Sequence, residues 1–336
     1  MVVPWHKDAW QRLTAAPQSG GHAYLLHGRA GTGKQRLAEA FIAWMLCEAS
    51  DAERPRPCGS CDACRWAAQG THPDLRVVAP EIEGDEASGG DEARGRAPKR
   101  SRQQITVDQV RSLADFLAVS PHRGRAKAVL IAPAEALNSQ AANALLKSLE
   151  EPPPGTVFVL VAHRPRQLPA TILSRCVKVP LPLPPRAEAE AWLSARGLKE
   201  PAEWLADAGG APLLAEELSA RPAEHRPVLL KLLANPASID PPRDGASLER
   251  GDLLSIVDWH QKWCCDLLYA SMQVPVRYHL PAAAVIRGLA STADAVGLAA
   301  HCREMTDFRR LARHPLNPRL FCEDLLGRYR RVFRRP

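Results

Sequence analysis

The chain has 336 residues, 46% of them hydrophobic and 24% charged, and a net charge of +7. That length allows two or three domains with cores of their own, and the composition excludes a disordered or fibrous protein. No apolar run reaches bilayer length, and Met1 to Asp8 lacks the basic start and apolar stretch of a secretory signal, so the cytoplasm is the expected compartment.

Residues 4 to 18, with Trp5, Trp10 and Leu13, read as a short helix. Ala23 to His27 reads as a buried strand, and Gln35 to Cys47 as a helix with Leu37, Phe41, Trp44 and Met45 at helical spacing. Between them lies Gly28-Arg29-Ala30-Gly31-Thr32-Gly33-Lys34-Gln35. Strand, glycine-rich loop and helix are the order that a phosphate-binding loop requires. Glycines let the backbone curl and aim N–H groups at phosphate oxygens, and lysine offers a mobile cation to the outer phosphates. Gly28, Gly31, Thr32, Gly33 and Lys34 are therefore the candidate phosphate-binding residues. Gln35 stands where a Ser or Thr hydroxyl would hold Mg²⁺, and an amide is a poor ligand for a small hard cation. The bland alternative is an ordinary glycine-rich turn of an α/β protein.

Nine cysteines are unevenly spread, four of them falling between Cys47 and Cys64. An odd number in a cytosolic chain argues against a disulfide framework and for a metal cluster plus buried thiols. Cys47, Cys58, Cys61 and Cys64 give four thiolates able to close a tetrahedral site around a structural Zn²⁺ with no open position for catalysis. An iron–sulfur cluster, or His72 in place of Cys47, are the alternatives.

Asp74 to Ala79 reads as a second strand, and the charged stretch from Glu81 to Gln104, poor in apolar anchors, as a loop or a DNA-touching basic arm. Thr106-Val-Asp-Gln109 is a capping box opening a helix with Val107, Val110, Leu113 and Leu117 on one face. Ala128 to Pro133 is an apolar run ending in Ala132-Pro133, where a nucleoside triphosphatase would place the Asp-Glu pair that handles Mg²⁺ and water. Together with Gln35, this makes self-contained ATP hydrolysis an unexpected activity, and no catalytic Mg²⁺ is expected. Asn138 to Glu151 reads as a helix stopped by Pro152-Pro-Pro154, and Val157 to Val161 and Val177 to Val179 as strands. Apolar strands alternating with helices predict an α/β fold with a parallel sheet covered on both faces.

Pro182, Pro184 and Pro185 suit a hinge, and helices are expected over Asp252 to Met272, Ala282 to Arg303 and Arg319 to Phe333. Residues 303 to 336 carry ten arginines against Glu304, Asp307, Glu323 and Asp324. That is either an acidic-partner surface or a solvated helix face.

His22-Ala23 before the loop strand, the four cysteines, Thr71-His-Pro-Asp74, Ala142-Asn-Ala-Leu-Leu-Lys-Ser-Leu-Glu-Glu-Pro-Pro153 and Leu173-Ser-Arg-Cys176 together resemble the AAA+ clamp-loader family of bacterial DNA polymerase III. The resemblance covers nearly the whole first half and implies an AAA+ parallel-sheet domain over 1–179 with a zinc module at 47–64. A small helical lid over 180–226 and an all-α collar over 227–336 would follow. It implies a hetero-pentamer with motor subunits of the tau/gamma type and a delta subunit, acting on the sliding clamp and primed DNA within the DNA-directed DNA polymerase III holoenzyme. Gln35, Ala132 and the Ala211-Pro212 that follows Gly209-Gly210 depart from the family's working ATPases, so the implied role is a stiff subunit that does not hydrolyse ATP. Lys34 leaves weak ATP binding open. Arg175 resembles the arginine that family members present in trans to a neighbour's ATP, against the simpler role of pairing with a nearby carboxylate. The rival functions are an active ATPase subunit and a zinc-dependent nucleic-acid binding module.

Overall fold

A computed structural model describes residues 2–15, 21–49, 55–81, 104–123, 126–221 and 224–333. The chain divides into two compact units, Met1–Pro184 and Pro185–Pro336. The charged stretch expected as a loop or basic arm lies outside the described residues except at its two ends.

The first unit is built on five parallel strands, β1 (Ala23–His27), β2 (Leu75–Val78), β3 (Lys127–Ile131), β4 (Thr156–Ala162) and β5 (Val177–Pro180), in the order β2-β3-β4-β1-β5. All five positions of β3 are buried, and so are Ala23 to Leu26 of β1. Continuous apolar runs are what a sheet covered on both faces demands. Successive residues feed opposite faces: Tyr24, Leu26, Leu130 and Val159 join one core, while Leu25, Val129, Phe158 and Leu160 join the other.

Helices α1 (Lys7–Ala15) and α2 (Lys34–Leu46) cover the first face through Leu13, Leu37, Phe41 and Ile42. Between α2 and β2 runs α3 (Asp62–Gln69). The second face is covered by α4 (Val107–Ala118) and α5 (Ser139–Glu150). Each fully buried Leu or Phe contributes roughly 1.5–3 kcal/mol before entropy is charged against it. Thr106 and Gln109 make the reciprocal capping box at the start of α4, and the Asn138 side chain caps α5. Phe116 adds to the buried face of α4, whereas Val107 is only half-buried. A single turn, α6 (Ala170–Leu173), leads to β5.

Among its described residues, the regular elements of the second unit are all helices. Helices α7 (Arg186–Ala195), α8 (Pro201–Asp207) and α9 (Pro212–Ala220) share a small core of Ala189, Leu193, Leu205 and Ala215. A larger core is formed by α10 (His225–Leu233), α11 (Pro241–Leu248), α12 (Leu253–Ser271), α13 (Ala283–Ala290), α14 (Ala295–Leu311) and α15 (Pro318–Arg331). Buried Asp207 of α8 joins the two, paired with Lys262 at 3.1 Å and Arg226 at 3.3 Å. The helix expected over Ala282 to Arg303 is two helices, because the Asp294 carboxylate accepts from the N–H groups of Val296 and Gly297 and so starts α14 afresh.

Candidate functional site

The phosphate-type loop leaves the carboxyl end of β1, whose neighbours are β4 and β5. Parallel sheets place their sites at such ends. Gly28 N–H donates to Ala162 O at 3.2 Å, and a Cβ on Gly28 would stand 2.1 Å from the carbonyl oxygen of Leu181. Only glycine fits there. Gly31 and Gly33, with φ of 76° and 95°, turn the chain into α2.

Inside this curl the polar groups face one another. The Thr32 hydroxyl donates to Arg29 O at 3.1 Å, and the Lys34 ammonium donates to the same carbonyl. Trp5 Nε1 donates to Thr32 O at 2.9 Å, which ties the chain start to the loop. Lys34 is 2% exposed, and burial lowers its ammonium to about 8 against the opposing pull of Glu135. The imidazoles around it respond in kind. Burial and the Lys34 charge lower His6 to about 4, and burial followed by Lys34 also lowers His163.

The sequence shows no carboxylate directly after β3, yet the structure supplies one two residues beyond Pro133. Glu135 has a side chain only 4% exposed, and its carboxylate accepts from the backbone N–H groups of His163 at 3.0 Å and Arg164 at 3.1 Å. It therefore fixes the turn that leaves β4 and places a negative charge near Lys34. Its only sequence signal is being the one acid in the run from Ala132 to Leu137. Gln35 does not replace the missing hydroxyl: its amide reaches outward to Glu39 at 3.0 Å.

Cys47, Cys58, Cys61 and Cys64 converge, with one sulfur of each within 4.8 Å of the others. Cys47 follows α2 directly, and Cys61 is the N-cap of α3, accepting from Cys64 N–H. The Sγ···Sγ separations are 4.0 Å for Cys47 to Cys61 and 4.0 Å for Cys58 to Cys64. Four thiolates at 2.3 Å around a tetrahedral ion stand about 3.8 Å apart, so the spacing suits Zn²⁺. Three backbone N–H groups, of Cys58, Cys61 and Cys64, point at the sulfurs of Cys47, Cys58 and Cys61 at 3.4 Å each. These N–H groups favour the thiolate form, and those of Ser60 and Cys61 pull the Cys58 thiol down to about 5 while burial pushes Cys64 up. His72 stands outside this cluster and accepts instead from Asp74 N–H at 3.0 Å.

Arg175 follows α6, and its guanidinium is engaged within its own unit. Nε donates to Glu150 Oε1 at 2.7 Å and a terminal nitrogen to Thr171 O at 2.9 Å. The pair is at the surface, with side chains 33% and 48% exposed. In the second unit much of the C-terminal arginine charge is internally matched: Arg309 pairs with Asp258, Arg310 with Asp307, Arg319 with Glu323 and Arg328 with Asp324. Among the described residues no helix is long and apolar enough to cross a membrane.

Residues 5–184 match the family described as "DNA polymerase III, delta subunit". The chain is 42% identical over 221 residues to the DNA polymerase III subunit delta' of Pseudomonas aeruginosa, covering 65% of this chain and 61% of that protein. It is 36% identical over 225 residues to the delta' subunit of Yersinia pestis, covering 64% and 60%. The tau subunit of Escherichia coli is 38% identical over 157 residues, 47% of this chain and 21% of tau. The matched stretch thus spans about three fifths of the length of these delta' relatives. Since the family match alone takes in more than half of the sequence, the chain belongs to the DNA polymerase III delta-subunit family, a clamp-loader family in which its relatives are delta' subunits.

Proposed function

We propose that this chain is the non-hydrolysing scaffold subunit of a DNA polymerase III clamp loader, working beside tau/gamma-type motor subunits and a delta subunit in a hetero-pentamer. The complex would use ATP to load the sliding clamp on primed DNA. The observation that carries the proposal is the phosphate loop itself. It keeps its glycines and lysine, but Gln35 turns away to Glu39, Ala132-Pro133 stands where a metal-holding acid pair is needed, and Lys34 is bonded to the loop's own Arg29 carbonyl. Phosphoryl transfer without a held Mg²⁺ lacks its main charge stabilisation. A nucleotide would also have to take Lys34 from Arg29, so ATP binding is weak or absent.

In this reading Cys47, Cys58, Cys61 and Cys64 hold a structural Zn²⁺, and residues 1–179, 180–226 and 227–336 serve as AAA+ domain, lid and collar. Arg175 completes a neighbouring subunit's ATP site. A planar, permanently charged guanidinium can bind two phosphate oxygens and offset the charge developing on the transferred group. To do so it exchanges the Glu150 carboxylate for phosphate, a small penalty for an exposed pair. Steady-state ATPase of the purified chain with Mg²⁺ tests the central claim. The expected rate is background, the same for wild type and Lys34→Ala; turnover that disappears in Lys34→Ala would make the chain a motor subunit instead.

A further inference from the structure

The helical unit contains a second group of metal-type donors that the proposed function does not use. His260 and Cys264 lie one turn apart on α12, and His301 faces them from α14. One donor atom of each lies within 4.8 Å of the others, and all three side chains are buried, His260 and Cys264 at 0% exposure and His301 at 2%. The two Nε2 atoms stand 3.1 Å apart. From this geometry we infer a buried zinc site formed by His260 Nε2, His301 Nε2 and Cys264 Sγ.

Spacing supports the assignment. Two imidazole nitrogens bound at 2.0–2.1 Å to a tetrahedral ion stand about 3.3 Å apart, close to what is observed. Nδ1 of His260 and Nδ1 of His301 are buried without a hydrogen-bond partner. With both Nε2 lone pairs on a metal, each Nδ1 carries its proton; that of His301 faces the Glu304 carboxylate at 3.6 Å, and that of His260 meets no acceptor. A ligating histidine whose other nitrogen faces a carboxylate is the usual outer arrangement of zinc sites.

Access also fits. Binding displaces the Cys264 thiol proton to solvent, so one thiolate meets two positive charges. A cavity of about 640 Å³ lined by His301, Glu304, Arg328 and Phe333 gives an ion its path inward. Tyr329 walls the site, its ring 5.0 Å from that of His260 and its hydroxyl already engaged by Trp263 and Leu233. Two imidazoles with thiolate suit a borderline-soft ion and not Mg²⁺ or Ca²⁺.

The test is metal analysis of the full chain purified without chelator, in wild type, Cys264→Ser and Cys58→Ser. The expected result is zinc that Cys264→Ser removes and Cys58→Ser leaves in place, one equivalent per chain in each case. Because Cys264→Ser could disturb packing, Co²⁺ titration of metal-stripped wild type provides a second measure. Two spectral classes are expected, one rich in thiolate-to-metal charge transfer from the cysteine knot and one weaker, from fewer sulfurs. Zinc content indifferent to Cys264, or a single cobalt spectrum of four-thiolate type, overturns the inference and leaves the rings as a packed histidine pair. Neither outcome depends on whether the chain is a clamp-loader scaffold.

Discussion

The cysteine knot and the phosphate loop are both written in short sequence spans, and both flank α2, yet they end in opposite states. In the knot, backbone N–H groups turn towards the sulfurs and favour their charged form, so the donors converge on a point that an ion can fill. In the loop, the lysine and the threonine hydroxyl turn towards one carbonyl of the loop's own backbone. A motif thus specifies which groups are available, and the surrounding fold decides whether they face a ligand or one another.

The sharpest way to break this contrast is to remove a donor from the knot. Metal-binding free energy at a structural zinc, roughly 10 kcal/mol or more at pH 7, is folding free energy for the segment around it. Cys58→Ser should therefore lose one equivalent of zinc and open residues 58–70 to limited proteolysis; zinc content equal to that of wild type with an unchanged cleavage pattern would place the knot among inert thiols. The loop calls for a steric test. Gly28→Ala drives a methyl to 2.1 Å from Leu181 O, a backbone atom that cannot step aside, and should cost about 3 kcal/mol in urea unfolding. A change under about 0.5 kcal/mol would mean that the loop is not held against the exit of β5.

A pH experiment sharpens the electrostatic side. His6 is buried near the loop with both ring nitrogens unpartnered, and its folded value of about 4 lies below the ordinary 6.5. Between those values the unfolded chain binds more protons than the folded one, so stability rises with pH across pH 4 to 6.5, and the penalty is complete below pH 4. The size is on the order of 3 kcal/mol. His6→Leu should flatten the stability profile by that amount between pH 6.5 and 4 relative to wild type and leave it parallel above pH 7. Equal slopes for the two proteins would place His6 in contact with water in the folded state.

Much of this was legible in the sequence, and the reasons for the rest are specific. The five strands follow from apolar runs, the capping box from Thr106 and Gln109, and the knot from cysteine spacing, because each depends on neighbours a few residues apart. The strand order does not, since β1 pairs with β4 and β5, more than a hundred residues away. Glu135 escaped notice because its role is to accept backbone N–H groups 28 and 29 residues on. The pairing of His260 with His301, 41 residues apart on two helices, has no local signature at all. The break at Asp294 was signalled by a capping residue, but the apolar periodicity on either side masked it.

Arg175 carries the smallest expected effect on stability and the largest consequence for the proposed role. Like Lys34, it is satisfied internally, but on the surface, where its partner Glu150 is about half exposed. Exposed ion pairs contribute roughly 0–1 kcal/mol, so Arg175→Ala should leave unfolding within about 1 kcal/mol of wild type, with zinc content and assembly unaltered. If its function is in trans, the reconstituted complex should lose part of its DNA- and clamp-stimulated ATPase; arginine fingers supply roughly 10³ to 10⁵ in rate where one site is isolated, and a ring with several sites dilutes the loss of one. Glu150→Gln separates the two roles. It removes the internal carboxylate partner and leaves the arginine, so a residue that only braces the end of α5 should show the same complex activity in both variants. A trans-acting one should be impaired in Arg175→Ala alone. A complex that assembles with Arg175→Ala and loads clamps at the unaltered rate would reduce Arg175 to a surface brace.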